Sequence, residues 1–353
     1  MTVTPSNSRN QDHRPPEGEE AAACIRDVLR SEAEAIQRIA DAVHGDSTGG
    51  EAARWQGAVD LIASCRGHVV VSGMGKSGLI GAKISATFSS VGIPSNVLHP
   101  AEAVHGDLGR IRRDDVVMLL SYSGTTEEVV NLATILKADG VPRLGISGRH
   151  DSKLAGLCDV HLALGELEEA GTLNLAPTTS TTATLACGDA LAMAVARRRR
   201  LTEDEFRRHH PGGKLGSSLR SVDEVMRLRV GENLPVVSQA LSVKEALDEA
   251  WTDGEHRRAG AIMLVDDRGR LSGIFTDGDL RRLVMDDPRG LDRPIRDVMT
   301  KHPRSLRLED RTRDARQLIA EHRIDEIPVV DDEGRPRGLI DVQDLVTLKI
   351  VQE

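Results

Sequence analysis

The sequence predicts an α/β protein: a doubly wound parallel sheet of five strands flanked by helices, followed by a tandem pair of α+β repeats. Three observations carry this. Short apolar runs at 69–71, 95–98, 116–120, 143–147 and 159–164 alternate with helical patterns, the signature of a parallel sheet. Glycines and small hydroxyl residues gather where strands give way to helices, the edge at which open α/β sheets hold ligands. From residue 221 the sequence repeats itself once.

A length of 353 residues predicts two or three domains. Three Phe, two Trp and one Tyr leave the core to aliphatic side chains and provide few stacking platforms for nucleic-acid bases. A net charge of −9 argues against a nucleic-acid or anionic-membrane partner. Cys24, Cys65, Cys158 and Cys187 are scattered, without zinc or disulfide spacing, which fits a reducing cytoplasm. No apolar run approaches the roughly 20 residues of a membrane span. The N-terminus shows no apolar signal region.

Residues 1–20 are polar, with Pro15, Pro16 and four residues rich in Glu, and read as a disordered tail. Ile25, Val28, Leu29, Ile36, Ile39 and Val43 recur at helical spacing, and a second helix carries Trp55, Val59 and Ile62. The strand at 69–71 turns through Gly73-Met-Gly-Lys-Ser-Gly78 into a helix. Its glycines are too closely spaced for a P-loop. Lys76 stands at the strand's carboxyl end, as does Gly75. The strand at 95–98 leads into His99-Pro-Ala-Glu-Ala-Val-His-Gly-Asp-Leu-Gly109, with His99 and His105 among small residues.

The run at 116–120 breaks into Ser121-Tyr-Ser-Gly-Thr-Thr126 ahead of a helix marked by Val129, Leu132, Ala133 and Leu136. A helix start offers free N–H groups and partial positive charge, and Ser121, Ser123, Thr125 and Thr126 add donors around Gly124. That is a phosphate site, unless Thr125 or Thr126 simply caps the helix. The strand at 159–164 is followed by three acids, Glu166, Glu168 and Glu169, and then by Pro177-Thr-Thr-Ser-Thr-Thr182, a second hydroxyl-rich helix start with Ser180 and Thr181. Arg197 to Arg200 close that helix, where cations suit the dipole. His209 and His210 precede a Pro-Gly-Gly turn.

In the C-terminal part, Val222-Asp-Glu-Val-Met226 recurs as Ile295-Arg-Asp-Val-Met299. Residues 265–280 recur as 330–345, each with a D-x-G turn between two strands. Two copies predict a pseudo-twofold pair.

These residues carry a family resemblance. Residues 222–346 resemble a tandem pair of cystathionine-β-synthase (CBS) domains, and residues from about 50 to 200 resemble a sugar isomerase (SIS) domain. Four motifs in order narrow this further: Gly73 to Gly78, His99 to Gly109, Ala176 to Thr184, and His210-Pro-Gly-Gly-Lys-Leu-Gly216. Together they resemble the D-arabinose 5-phosphate isomerases, which interconvert D-ribulose 5-phosphate and D-arabinose 5-phosphate. The expected layout is a tail at 1–20, an SIS domain with its N-terminal helices at 21–215, and CBS repeats at 221–288 and 293–353.

The resemblance implies catalytic roles for Lys76, His105, Glu128, Glu169 and His210. It places the sugar phosphate on Ser121, Ser123, Thr126 and the backbone of Tyr122, with Gly75, Lys76, His99, His105, Gly124, Thr125, Ser180 and Thr181 around it. It implies no required cofactor, an inhibitory divalent metal near His99, and tetramers whose SIS domains share sites. The chemistry agrees. Isomerisation through an enediol needs a carbon base, an acid–base group on oxygen and a cation for the developing oxyanion. Glu169 or Glu128 suits the first, His210 the second and Lys76 the third. Alternative readings make Glu128 a dipole-complementing acid, Glu168 an alternative register for Glu169, and His105 a structural holder of its loop. Members commonly carry Asn or Arg at Tyr122 and Glu or Thr at Thr125, so a phenol here narrows the pocket or changes substrate preference.

CBS pairs of this type sense adenosine nucleotides through a T/S-x-x-D pattern, kept as Thr276-Asp-Gly-Asp279 in the first repeat. The second has Asp341-Val-Gln-Asp344, whose extra carboxylate repels phosphate. One adenosine- or sugar-nucleotide site, or a purely oligomer-supporting pair, is expected. Rival readings are an isomerase of another phosphosugar and a non-catalytic sugar-phosphate sensor. The sensor class usually adds a DNA-binding helix-turn-helix, for which the acidic N-terminal 50 residues are too short.

Overall fold

The structure is a computed structural model that describes residues 17–43, 50–171, 173–250, 260–287 and 289–347. The chain divides into two compact units, 1–202 and 203–353. Most of the expected N-terminal tail lies outside the described residues. Its last four residues do not belong to a tail, because the first helix opens at Glu17.

The first unit runs α1 (Glu17–Val43), α2 (Glu51–Ala63), β1 (Val69–Gly73), α3 (Gly75–Ser90), β2 (Ser95–Val97), α4 (Pro100–Ala103), β3 (Val116–Leu120), α5 (Glu127–Ala138), β4 (Arg143–Ser147), β5 (Val160–Ala163) and α6 (Thr179–Arg198). The sheet is five-stranded and parallel throughout, in the order β2-β1-β3-β4-β5, as the alternating pattern predicts. β1, β3 and β4 are buried along their whole length, because helices cover both faces. Val69, Val71, Met118 and Leu120 pack with Ile62, Ile84, Phe88 and Leu191 on one face. Val70, Val117 and Leu119 pack with Leu98, Leu132 and Leu136 on the other. The winding reverses between β1 and β3, which leaves a crevice at their adjoining carboxyl ends, where Gly73 pairs with Leu120.

The second unit runs α7 (Glu203–His209), α8 (Gly213–Ser218), α9 (Val222–Val225), β6 (Leu228–Arg229), β7 (Val236–Ser238), α10 (Val243–Ala250), β8 (Ala261–Val265), β9 (Leu271–Thr276), α11 (Asp277–Asp286), β10 (Thr300–Lys301), β11 (Leu306–Arg307), α12 (Thr312–His322), β12 (Glu326–Val330), β13 (Pro336–Asp341) and α13 (Val342–Thr347). The repeats exchange strands. β6 of the first joins the sheet β11-β12-β13-β6, and β10 of the second joins β10-β9-β8-β7. The repeated Val-Met ends show why. Met226 lies over Gly338, and Met299 lies over Gly273, where any Cβ would collide with the thioether. The expected domain end at 215 needs correction. α7 and α8 belong to the second unit, because Asp204 and Glu203 pair with Arg311 and Arg313 at 3.0 and 2.9 Å, and Thr312 Oγ1 donates to Ser217 O at 2.7 Å.

Candidate active site

The candidate residues of the first unit all follow the carboxyl ends of strands: Gly75 and Lys76 after β1, His99 and His105 after β2, Ser121 to Thr126 after β3, and Glu169, Ser180 and Thr181 after β5. The β1 and β3 loops adjoin at the crevice, which brings the exposed Lys76 to the hydroxyl-rich turn's edge of the sheet. Among the described residues Lys76 has no ion-pair partner. Gly75 takes φ +55°, so the chain enters α3 through a left-handed step.

The turn Ser121 to Thr126 is built by its own hydroxyls. Ser121 Oγ lies 2.8 Å from Thr126 Oγ1 and 3.5 Å from Ser123 Oγ, while Thr125 N–H and Oγ1 donate to Ser123 Oγ at 3.3 and 3.2 Å. Thr126 is the residue before α5, yet its side chain does not cap the helix. The simple capping explanation therefore fails. Gly124 takes φ +63°, and a Cβ there would come within 2.5 Å of Ser152 Oγ and 3.2 Å of Ser147 Oγ. Both hydroxyls belong to a polar network. Ser147 Oγ bonds Ser152 Oγ at 3.0 Å and His161 Nε2 at 2.8 Å. The His161 ring meets His150 at 3.4 Å, and His150 meets Glu51 at 2.5 Å. Burial pushes the buried His161 down to about 4, with the His150 charge adding to the fall, so it stays neutral.

Glu169 is tied down at the start of α6. Its carboxylate accepts the Thr178 N–H at 2.8 Å and the Ser180 N–H at 3.2 Å, and both residues' hydroxyls bond it as well. Burial alone would raise its pKa. The hydrogen bonds from Ser180 and Thr178 outweigh that and hold the group below the usual carboxylate range. The neighbouring Glu168 is exposed. Ser180 and Thr181, expected as a second hydroxyl wall, both make bonds within the chain. Ser180 is spent on Glu169, and Thr181 Oγ1 donates to Thr178 O at 2.8 Å.

The Tyr122 phenol crosses to the loop after β5. Oη accepts the Leu167 N–H at 2.6 Å and donates toward Leu167 O at 3.1 Å or Gly165 O at 3.3 Å. Burial raises its pKa, and the nearby charges of Glu169 and Glu166 add to the rise against the Leu167 bond, so the phenol keeps its proton. The strand-to-loop contacts of Tyr122, Ser147 and Ser152 carry no sequence signal beyond residue type.

Glu128 sits partly buried in the first turn of α5, while His99 and His105 are exposed on the loop after β2. Among the described residues no group of three or more His, Cys, Asp or Glu side chains is placed to hold a metal, and His99 is therefore part of no such group. His210 belongs to the second unit. Its ring stacks on Phe206 at 4.1 Å, and Nδ1 lies 2.8 Å from Phe206 O. Thr276 and Asp279 form a reciprocal capping box at the start of α11, and Asp279 is further paired with Arg282, so their polar atoms already serve the helix. A cleft of about 610 Å³ beside residues 165–167, lined by Arg38, Trp55, His150 and Glu166 among others, includes none of the candidate residues. No helix among the described residues is long and apolar enough to cross a membrane.

The SIS domain family matches residues 61–194, and the CBS domain family matches 222–286 and 295–350. The chain is 44% identical over 293 residues to the arabinose 5-phosphate isomerase KdsD of Pseudomonas aeruginosa, covering 82% of this chain and 87% of the relative. It is 40% identical over 295 residues to GutQ of Salmonella typhi, covering 83% and 90%, and 36% identical over 321 residues to KpsF of Escherichia coli O6:H1, covering 91% and 94%; both carry the same activity name. The solved structure of c3406 from Escherichia coli CFT073, in complex with A5P, superposes with a TM-score of 0.51 at 35% identity, covering 56% of this chain and all of that one.

Proposed function

The chain belongs to the arabinose 5-phosphate isomerase family, an SIS domain followed by a CBS pair, and is a phosphosugar isomerase; on that premise we propose that it interconverts D-ribulose 5-phosphate and D-arabinose 5-phosphate. One observation carries the reading. Ser121, Ser123 and Thr126 converge around Gly124 at the sheet's switch point, and among the described residues their hydroxyl partners are one another and Thr125. A phosphate dianion accepts hydrogen bonds from such hydroxyls and from the first N–H groups of α5.

In the proposed reaction a base removes a proton from C1 of the ketose, an enediolate forms, and C2 is reprotonated to give the aldose. Carboxylates are suited to the carbon steps. Glu169 is held ionised by its hydrogen bonds, the form a base requires, and Glu128 is the alternative. Lys76 stabilises the charge developing on oxygen, and His210 keeps the oxygen acid–base role. Deuterium exchange at C2 separates the carboxylates: full exchange in Glu169→Gln excludes Glu169, and the same result in Glu128→Gln excludes Glu128. Incubation with ribulose 5-phosphate, read by NMR, tests the activity itself. Binding without conversion would favour the sensor.

Self-association into a tetramer, with no nucleic acid or membrane partner, belongs to this proposal and is tested by light scattering. No cofactor is required by these steps. The inhibitory metal at His99 does not fit a site of three ligands among the described residues, so no step is assigned to it. For the CBS pair, titration with AMP, ATP and sugar nucleotides decides between one nucleotide site and a supporting role.

A further inference from the structure

We infer that Tyr122 is a positioning residue for the loop that carries Glu169, joining the phosphate anchor to the candidate base. The inference rests on the reading of Glu169 as a group used in the reaction. β3 ends at Leu120, so Tyr122 stands inside the hydroxyl-rich turn, between Ser121 and Ser123. Its backbone faces inward, with Tyr122 O accepting the Gly148 N–H at 2.7 Å. Its ring lies against Gly148, where a Cβ would come within 3.1 Å of Cε2. Its hydroxyl then reaches the loop after β5 and satisfies both the N–H and the C=O of Leu167.

That loop, residues 164–178, is long for a connection inside an α/β unit, and long connections need holding points to stay ordered. It turns through left-handed glycines at Gly165 and Gly171, which give it no rigidity of its own. Side-chain bonds restrain it on either side of Glu168, with Arg149 also pairing with Glu166 at 3.2 Å. The phenol holds Leu167, and the start of α6 holds Glu169. Leu173 and Leu175 beyond them are largely exposed. Tyr122 therefore fixes the approach of Glu169 from the phosphate side, and the N-terminus of α6 fixes it from the other.

Tyr122→Phe keeps the ring and both flanking hydroxyls and removes only the bonds to Leu167 and Gly165. The expected result is a fall in kcat of about tenfold, the worth of one well-made hydrogen bond or two, with inhibition by inorganic phosphate unchanged. In a Glu169→Gln background the same substitution should change kcat by less than about twofold, because coupled residues do not add. Hydrogen exchange at the Leu167 amide should accelerate in Tyr122→Phe while β3 stays protected. Weakened phosphate inhibition at unchanged kcat would make Tyr122 a phosphate ligand instead. An undiminished effect in the Glu169→Gln background, or unchanged Leu167 exchange, would overturn the assignment. The exchange measurement requires no turnover, so it separates failure of this inference from failure of the isomerase reading.

Discussion

The two hydroxyl-rich helix starts of the first unit are nearly the same in composition and opposite in use. At α6, Thr178 and Ser180 present N–H and hydroxyl donors, and the protein's own Glu169 occupies them. At α5, Ser121, Ser123, Thr125 and Thr126 bond each other, and the acids of the first turn, Glu127 and Glu128, are not among their partners. Both starts satisfy the same need: four N–H groups without helical partners and a partial positive charge. One is filled from inside the chain. At the other, the hydroxyls bond one another, and on the proposed reading the substrate phosphate takes the place that Glu169 fills at α6.

The sharpest way to break this contrast is Gly124→Ala. The new Cβ meets Ser152 in a backbone conformation that L-residues avoid, so stability should fall by about 1–3 kcal/mol, and turnover by more than about a hundredfold through the displaced turn. Thermal unfolding with steady-state kinetics measures both. A variant with normal turnover would remove the turn from the site.

A second effect comes from the network behind that turn. His161 is neutral in the fold, at about 4 against an ordinary 6.5. Below pH 6.5 the unfolded chain takes up a proton that the fold refuses. Stability should therefore drop as pH falls from 6.5 to about 4 and level off below, by up to about 3 kcal/mol. Glu169 acts in a lower window. Its contribution is present above the ordinary carboxylate range and is lost as pH falls through its depressed value. Denaturant titrations of the wild type and of His161→Gln from pH 8 down to about 2 separate the two, since only the upper loss should vanish in the variant.

Ser121→Ala and Thr126→Ala each remove one hydroxyl of the proposed phosphate site. Each should raise KM by about tenfold, with a smaller change in kcat. Ser180→Ala, at the other helix start, should instead lower kcat through Glu169 and spare phosphate inhibition. Equal effects at the two starts would erase the distinction. The smallest effect is expected at Thr276→Ala, which removes one capping-box hydroxyl of α11. It should cost about 1 kcal/mol of stability and leave isomerisation unchanged, as differential scanning calorimetry and kinetics can show.

Much of the first unit was legible because its signals are local. A strand buried on both faces must be continuously apolar, as in Val116 to Leu120, and a helix start that handles anions must carry small donors. The repeat in the second unit was equally plain, since Met226 and Met299 recur at the same offset. The legibility ended where a contact joins distant segments. Tyr122 reads as a substitution in a phosphate loop, and only the meeting of β3 with the loop after β5 makes it a strut. Ser180 reads as one more hydroxyl at a helix start, and only the fold shows it bonded to Glu169. The end of the first domain was also misplaced, because the ion pairs that bind Glu203 and Asp204 to Arg311 and Arg313 cross more than a hundred residues.

By itself, then, the sequence determined the five parallel strands, the paired repeats, the family and the carboxyl-edge position of the candidate residues, all consequences of periodicity and of the chemistry of adjacent side chains. Tertiary structure alone decided which helix start is already filled, which hydroxyls remain around Gly124, and how β6 and β10 trade places between the repeats. Those outcomes depend on which segments meet after the hydrophobic core closes, and a buried polar group bonds to whatever partner that closure brings within reach.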